Sequence, residues 1–386
     1  MVMAQPAPRI VARFVPPVPP TIEQTGLSLG FLCDLVNKIL YIQGEQTGYA
    51  IAEKIGLPFV GVTERVLDFL KGEKYLEIKG SSGLGPSSYN YSLSSRGIDK
   101  AQEDMHRNQY IGQAPVPLAE YVRATKAQSI TQVTITLNDV LQAFAHLVIS
   151  EELLIQLGPA FNSGKSVFLF GPPGNGKTTI AEVGASLMGG EIFVPYAVEF
   201  AGQVIKVYDP VYHRMSDTGQ QGERRGYDGR WALTKRPVVI TGGELTLQAL
   251  DLIYNETAKF YEAPVQMKAN GGLFMIDDFG RQQVSPRDLL NRWIVPLEKR
   301  IDYLTLHTGQ KIVVPFDELI VFSTNLEPRN LVDEAFLRRI RYKINVRPPS
   351  LEQFKEIFRR MCEQRSIEYN DRALLYIIEE LSLIHI

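Results

Sequence analysis

The chain has 386 residues, with 41 Lys and Arg against 43 Asp and Glu, a formal net charge of −2, and 45% hydrophobic residues. That length predicts two to three domains at roughly 150 residues each, and the balanced charge argues against a strongly basic nucleic-acid binder or an acidic solvating tail. No apolar run reaches the ~20 residues that cross a bilayer, the lone Cys33 and Cys362 suit a reducing compartment, and the histidines form no metal pattern, so a multi-domain soluble protein of the cytoplasm is expected.

In chain order, residues 1–25 carry Pro6, Pro8, Pro16, Pro17, Pro19 and Pro20, which break any signal-peptide segment. They read as a disordered, partly polyproline arm. Residues 26–110 read as one module. Leu27 to Tyr41 is apolar at helical spacing, Gln46-Thr47-Gly48 is turn-like, and shorter helices are expected over Tyr49–Ile55 and Val62–Lys71. Two alternating runs, Tyr75–Lys79 and Tyr89–Leu93, flank a loop rich in Gly and Ser and predict a hairpin. Three helices and a hairpin are the element order of a winged helix-turn-helix α+β domain. Residues 1–125 hold 12 basic and 12 acidic side chains. Arg65 and Lys71 on the presumed recognition helix are offset by Glu64 and Asp68. DNA binding rests on a basic surface, so contact with protein is the preferred use and DNA the alternative. Residues 111–136, with Pro115 and Pro117, read as a linker.

From there strands and helices alternate, the pattern of a parallel α/β sheet. Ser166–Phe170 is a short apolar strand running into Gly171, Pro172, Pro173, Gly174, Asn175, Gly176, Lys177 and Thr178, then into a helix from Thr179 to Met188. This is Gly-x-x-x-x-Gly-Lys-Thr between strand and helix. Its glycines let backbone N–H groups converge on phosphate oxygens and the helix N-terminus adds positive potential. Lys177 is the expected partner of the β- and γ-phosphates of ATP, and the Thr178 hydroxyl a ligand of Mg²⁺; Thr179 completes the binding segment. Gly272–Ile276 is a second buried strand ending in Asp277 and Asp278. Asp277 is expected to hold Mg²⁺, and Asp278 to orient or deprotonate the attacking water. A third strand, Leu319–Thr324, ends in Asn325, whose amide suits a role in holding that water. Arg338 and Arg339 close a short helix, where a neighbouring subunit's γ-phosphate could meet a guanidinium.

These stations in this order resemble the AAA+ ATPases over residues 137–346, with Walker A at Gly171–Thr178, Walker B at Phe274–Asp278, sensor 1 at Asn325 and the arginine-finger segment at Ala335–Arg339. The strand–turn–strand pattern of Arg300–Phe316 looks like the pre-sensor-1 hairpin of the MoxR-like, MCM and NtrC-like clades, and Ala269-Asn-Gly-Gly272 is similar to that group's lead-in; a MoxR-like chaperone is preferred because the Gly-Ala-Phe-Thr-Gly-Ala loop usual in NtrC-like activators is absent from the sequence. The resemblance implies an α/β P-loop NTPase sheet, a homo-oligomeric ring and a chaperone-like remodeller of a protein client. The alternatives are a DNA-associated ATPase and a nucleotide-gated scaffold with little turnover. Walker B departs from the family by ending Asp-Asp where Asp-Glu is usual, and Arg281 is a candidate partner of Asp278. Gln203 to Ala263 is a long inserted-looking segment, with Asp228-Gly-Arg-Trp231 and Gly242-Gly-Glu244, that reads as containing substrate-contacting loops facing a central pore, while Trp231 and Tyr261 fit core and surface equally. Residues 347–386 supply two helices where the family's lid has about four, so a partial, truncated lid is expected, with no sensor-2 arginine past Arg372.

Overall fold

The computed structural model describes residues 14–216, 226–376 and 378. In the N-terminal module, Leu29–Gln43 forms a helix because Ser28 caps it, accepting from the Phe31 N–H at 3.1 Å, and because Leu32, Leu35, Val36 and Ile39 fall on one buried face. Gln46–Thr47, expected as a turn, is a two-residue strand that pairs with Tyr89–Leu93. The resulting three-stranded antiparallel sheet places Tyr89–Leu93 between Gln46–Thr47 and Leu76–Ser81. Helices Gly48–Ile55 and Glu64–Gly72 pack on it. The second begins two residues after the expected Val62, because Val62 and Thr63 belong to the preceding segment Phe59–Thr63, which is kinked at Val60 and Gly61. A further helix, Ser95–Arg107, has too few apolar residues to announce itself in the sequence. It is held by an Asn37–Asp104 hydrogen bond (3.2 Å) and by Lys100 and Arg107, both paired with Asp34 and Asp104.

Neither the arm nor the linker behaves as expected where the structure describes it. Residues 1–13 of the arm lie outside the described residues. From Phe14 on, the arm is packed: Phe14 stands edge-on to Trp231 (6.2 Å) and Phe193 (6.4 Å), and the Asp228 N–H donates to Pro16 O at 3.0 Å. In the stretch 111–136, Val116–Pro117 pairs with Ala197–Phe200, and Leu118–Ala127 is a helix that buries Tyr121 and Ala124. The physical reason is apolar content: a segment carrying Val116, Tyr121 and Ala124 gains more by burial than by acting as a solvated tether.

The segment Gln203 to Ala263 supplies three strands of a second five-stranded sheet, in the order Ile253–Asn255, Phe260–Glu262, Gln203–Lys206, Ala197–Phe200, Val116–Pro117. Ala197 and Val204 from this sheet share one core with the N-terminal module. Gly56 and Gly229 meet backbone to backbone, so a Cβ on Gly56 would sit 2.6 Å from Gly229 O. Trp231 and Tyr261 are both core residues.

The central sheet contains β1 (Ser166–Phe170), β2 (Val238–Thr241), β3 (Leu273–Ile276), β4 (Leu319–Thr324) and β5 (Tyr342–Asn345). All pairs are parallel and the order is β2-β3-β4-β1-β5. Covered on both faces, β3 and β4 are wholly buried, which explains their unbroken apolar runs. The loop after β1 leads straight into helix α1 (Lys177–Leu187). This is an α/β P-loop NTPase core. A hairpin of Ile301–Thr305 and Lys311–Pro315 precedes β4, and helices Leu351–Gln364 and Asp371–Tyr376 follow β5. Of the residues 347–386 expected as a lid, 377 and 379–386 lie outside the described residues. No helix among the described residues is long and apolar enough to cross a membrane.

Candidate functional site

Parallel strands gather ligands at their carboxyl ends, outside a topological switch point. Here β1, β3 and β4 all end at one edge and deliver Gly171, Asp277 and Asn325 respectively. The loop after β1 is bent by positive-φ glycines at 171, 174 and 176. Gly171 has a second constraint: a Cβ there would lie 2.3 Å from Val346 O, so the loop passes under the end of β5 only without a side chain. Asn175 ties the loop to the same carbonyl, its Nδ2 donating to Val346 O at 2.9 Å. Pro172, Pro173, Gly174, Gly176 and Thr179 are exposed, while Lys177 is buried.

Lys177 Nζ donates to Gly171 O and Pro172 O, both at 2.9 Å, and to Asn325 Oδ1 at 2.7 Å. An ammonium has three donors, and all three are directed into the loop and the end of β4. Burial lowers the Lys177 pKa, against the opposing pull of Asp277 and Asp278. From the first turn of α1, the Thr178 hydroxyl donates to Asp277 Oδ2, at the end of β3, at 2.8 Å. Asn325 closes the set from the other side, its Nδ2 reaching Asp278 Oδ1 at 3.4 Å. Lys177, Thr178, Asp277, Asp278 and Asn325 are thus brought into one hydrogen-bonded cluster from three strand ends. The oxygens of Thr178 and Asp277 are hard donors already in contact, and a single carboxylate with a hydroxyl is the protein share that Mg²⁺ takes when phosphates and water fill its octahedron. No group of three or more His, Cys, Asp or Glu among the described residues offers a competing metal cage.

Asp278 has φ +50, the left-handed region, which costs a non-glycine residue on the order of 1–3 kcal/mol. The strain persists because the turn is held on both sides: Phe279 N–H donates to Ser323 O at 2.6 Å, and the Thr324 hydroxyl to Phe279 O at 2.9 Å. Arg281 meets Asp278 through its backbone N–H (2.9 Å to Asp278 O) and not by an ion pair. Gln282, which sequence reasoning passed over, bonds the turn from within, and only the turn-marking Gly280 hints at it in the sequence.

Arg338 and Arg339 are not brought into this cluster. Arg338 is exposed and lies 3.9 Å from Glu334, and Arg339 Nε bonds Glu298 at 2.6 Å.

No family model matches the chain, and no curated protein matches it. Among solved structures, NtrX from Brucella abortus in complex with ADP is 16% identical, with a TM-score of 0.34 over 71% of this chain and 54% of that one. A complex between the BchI and BchD subunits of magnesium chelatase is 17% identical, with a TM-score of 0.34 over 66% of this chain and 70% of that one. Another NtrX structure from the same organism is covered over 44% of its length, so this chain spans about half of those proteins. Likenesses this distant leave the site to rest on its own geometry.

Proposed function

We propose that the chain is an AAA+ ATPase that binds and hydrolyses ATP with Mg²⁺ and couples turnover to remodelling of a protein partner. The observation that carries this reading is the five-residue cluster: a loop lysine bridged to a strand-end asparagine, and a helix-start threonine bonded to a strand-end aspartate. In it, Lys177 would exchange its carbonyl partners for phosphate oxygens. Thr178 and Asp277 would hold Mg²⁺, which neutralises charge on the β- and γ-phosphate oxygens when bound. Asp278, steadied by Asn325, accepts the proton of the attacking water as that oxygen bonds to the γ-phosphorus and the bridging P–O bond breaks. ADP and phosphate leave, and Asp278 returns its proton to solvent.

Arg338 and Arg339 fit this scheme as residues offered to a neighbouring subunit, because neither faces the cluster of its own chain. A ring assembly is the arrangement in which that placement would be put to use, and the hairpin before β4 is the feature behind a MoxR-like, chaperone-like reading. The N-terminal module reads as a winged helix that selects a protein client. Against the DNA alternative, Arg65 on its presumed recognition helix lies 3.4 Å from Glu23. The decisive experiment measures ATP hydrolysis against protein concentration for wild type, Lys177→Ala and Arg339→Ala. Activity per subunit should rise with concentration, fall to background in Lys177→Ala, and drop at least tenfold in Arg339→Ala, since a finger arginine contributes about 10³–10⁵ in turnover. Concentration-independent activity, or an Arg339→Ala variant equal to wild type, defeats the ring and the finger. Tight ATP binding without turnover favours the scaffold reading instead.

A further inference from the structure

Asp278 occupies a position where the expected catalytic carboxylate is one methylene longer, yet its carboxylate still reaches the Asn325 amide at 3.4 Å. The backbone makes up the reach. In the left-handed conformation Asp278 turns its side chain across the end of β3 toward β4, an orientation that an extended residue at the end of a strand does not have. Something must hold that conformation, since Asp278 carries no glycine's freedom.

Gln282 spans the turn that contains it. Its Nε2 donates to the carbonyls of Asp277 (2.8 Å) and Asp278 (3.1 Å), and its Oε1 accepts from the Gly280 N–H (2.8 Å). The amide's orientation is fixed by its partners, because carbonyls can only accept and a backbone N–H can only donate. One side chain therefore bonds three backbone groups of the turn, at residues 277, 278 and 280. None of these bonds touches the phosphate loop, Lys177 or Thr178.

We propose that Gln282 is a positioning residue for Asp278: its amide locks the left-handed turn that lets a short carboxylate stand where the attacking water is activated. The assignment rests on the hydrolysis reading given above. It predicts a specific interplay of side-chain length and turn geometry. With the turn locked, a longer carboxylate at 278 overshoots Asn325. With the turn released, the same lengthening restores reach.

The test compares wild type, Gln282→Ala, Asp278→Glu and the double variant. Three quantities are read: steady-state ATP hydrolysis with Mg²⁺, the dissociation constant of a fluorescent ADP, and amide exchange at Gly280. Gln282→Ala should lower kcat by about tenfold or more, as misplacement of a catalytic group by about 1 Å does. Its KM and its affinity for fluorescent ADP should stay within about twofold, since the loop contacts are intact, and the Gly280 amide should exchange at least about tenfold faster. Asp278→Glu should lower kcat in the wild-type background and raise it in the Gln282→Ala background, a reversal of sign that general loosening of the site does not produce. Additive losses in the double variant overturn the proposal, as does unchanged Gly280 exchange or a Gln282→Ala kcat within twofold of wild type. A wild type that binds nucleotide but never turns it over overturns the hydrolysis reading itself, and Gly280 exchange then separates that failure from failure of the lock.

Discussion

The carboxyl edge of the central sheet and the seam between the N-terminal module and the inserted sheet both draw charged side chains out of water, but to opposite ends. At the seam, Arg230 is 1% exposed and every direction of its guanidinium is answered. Asp228 takes Nε and Nη2, the carbonyls of Thr25 and Pro115 accept from Nη1, and Glu120 stands 3.6 Å from Nη2. At the sheet edge, Lys177 is satisfied by carbonyls that a phosphate can replace, and Asp278 is held in a strained conformation beside a second carboxylate. The seam spends its charge on fixing where segments from residues 25, 115 and 230 meet. The site keeps its charge exchangeable. Stability should therefore reside at the seam and reactivity at the edge, and substitutions can separate the two.

Arg230→Ala should give the largest loss of stability. It leaves Asp228 with only the backbone N–H of residue 230 (3.0 Å) and strands two buried carbonyls without a donor, and breaking a buried pair from one side costs about 3–5 kcal/mol. Urea unfolding of the full chain measures it, with nucleotide affinity per folded molecule expected to be unchanged. A loss below about 1 kcal/mol would mean that the seam is not where the fold is anchored.

The inserted region offers a second, pH-dependent probe. His213 is buried, its Nδ1 accepting from the Asp209 N–H at 2.9 Å, so the neutral ring donates from Nε2 to Lys268 O at 2.9 Å. Burial pushes its pKa down to about 4, against the opposing effects of its hydrogen bonds and of Asp209. An unfolded histidine titrates near 6.5, so between these values the unfolded chain binds more protons. Stability is thus whole above about pH 6.5 and falls as pH drops toward 4, by about 3 kcal/mol in all. His213→Gln should flatten that dependence in urea unfolding at pH 7 and pH 4.5. An equally steep acid loss in the variant would place the sensitivity elsewhere.

The same contrast explains what was readable in the sequence. That Lys177, Thr178, Asp277, Asp278 and Asn325 come together was legible because the pattern that places them is local in kind: a strand, a glycine-bent loop and a lysine-threonine pair leave a signature, and Asp277 and Asn325 sit where apolar runs end. The hairpin before β4 was legible for the same reason, through two alternating runs around a glycine turn. The seam was not. Arg230 joins Thr25 and Pro115 across more than a hundred residues of chain, and prolines that look like arm and linker conceal Phe14, Val116 and Tyr121 packed into a core. Periodicity reports on one element at a time and is silent on which distant segments close over a lone buried arginine. Gln282 escaped for a related reason. A polar side chain that bonds only backbone in its own turn carries no spacing, and nothing in the sequence marks Asp278 as the residue that takes the left-handed conformation.

Asp278→Asn sharpens the comparison from the other side, with the smallest expected effect on stability. Asparagine is among the few residues that enter the left-handed region readily, so φ +50 is no obstacle to it. The substitution also removes a negative charge beside Asp277 while keeping an oxygen for the Asn325 amide. Unfolding free energy should stay within about 0.5 kcal/mol of wild type, or rise, as is usual where a functional group is held at a cost to the fold. Turnover should fall by roughly a hundredfold or more, the usual contribution of a positioned general base. Urea unfolding and steady-state hydrolysis on the same preparation measure both. A loss of stability above about 2 kcal/mol would make the Asp278 carboxylate a structural group like those around Arg230, and the division between a sealed seam and an exchangeable edge would fail at its most reactive residue.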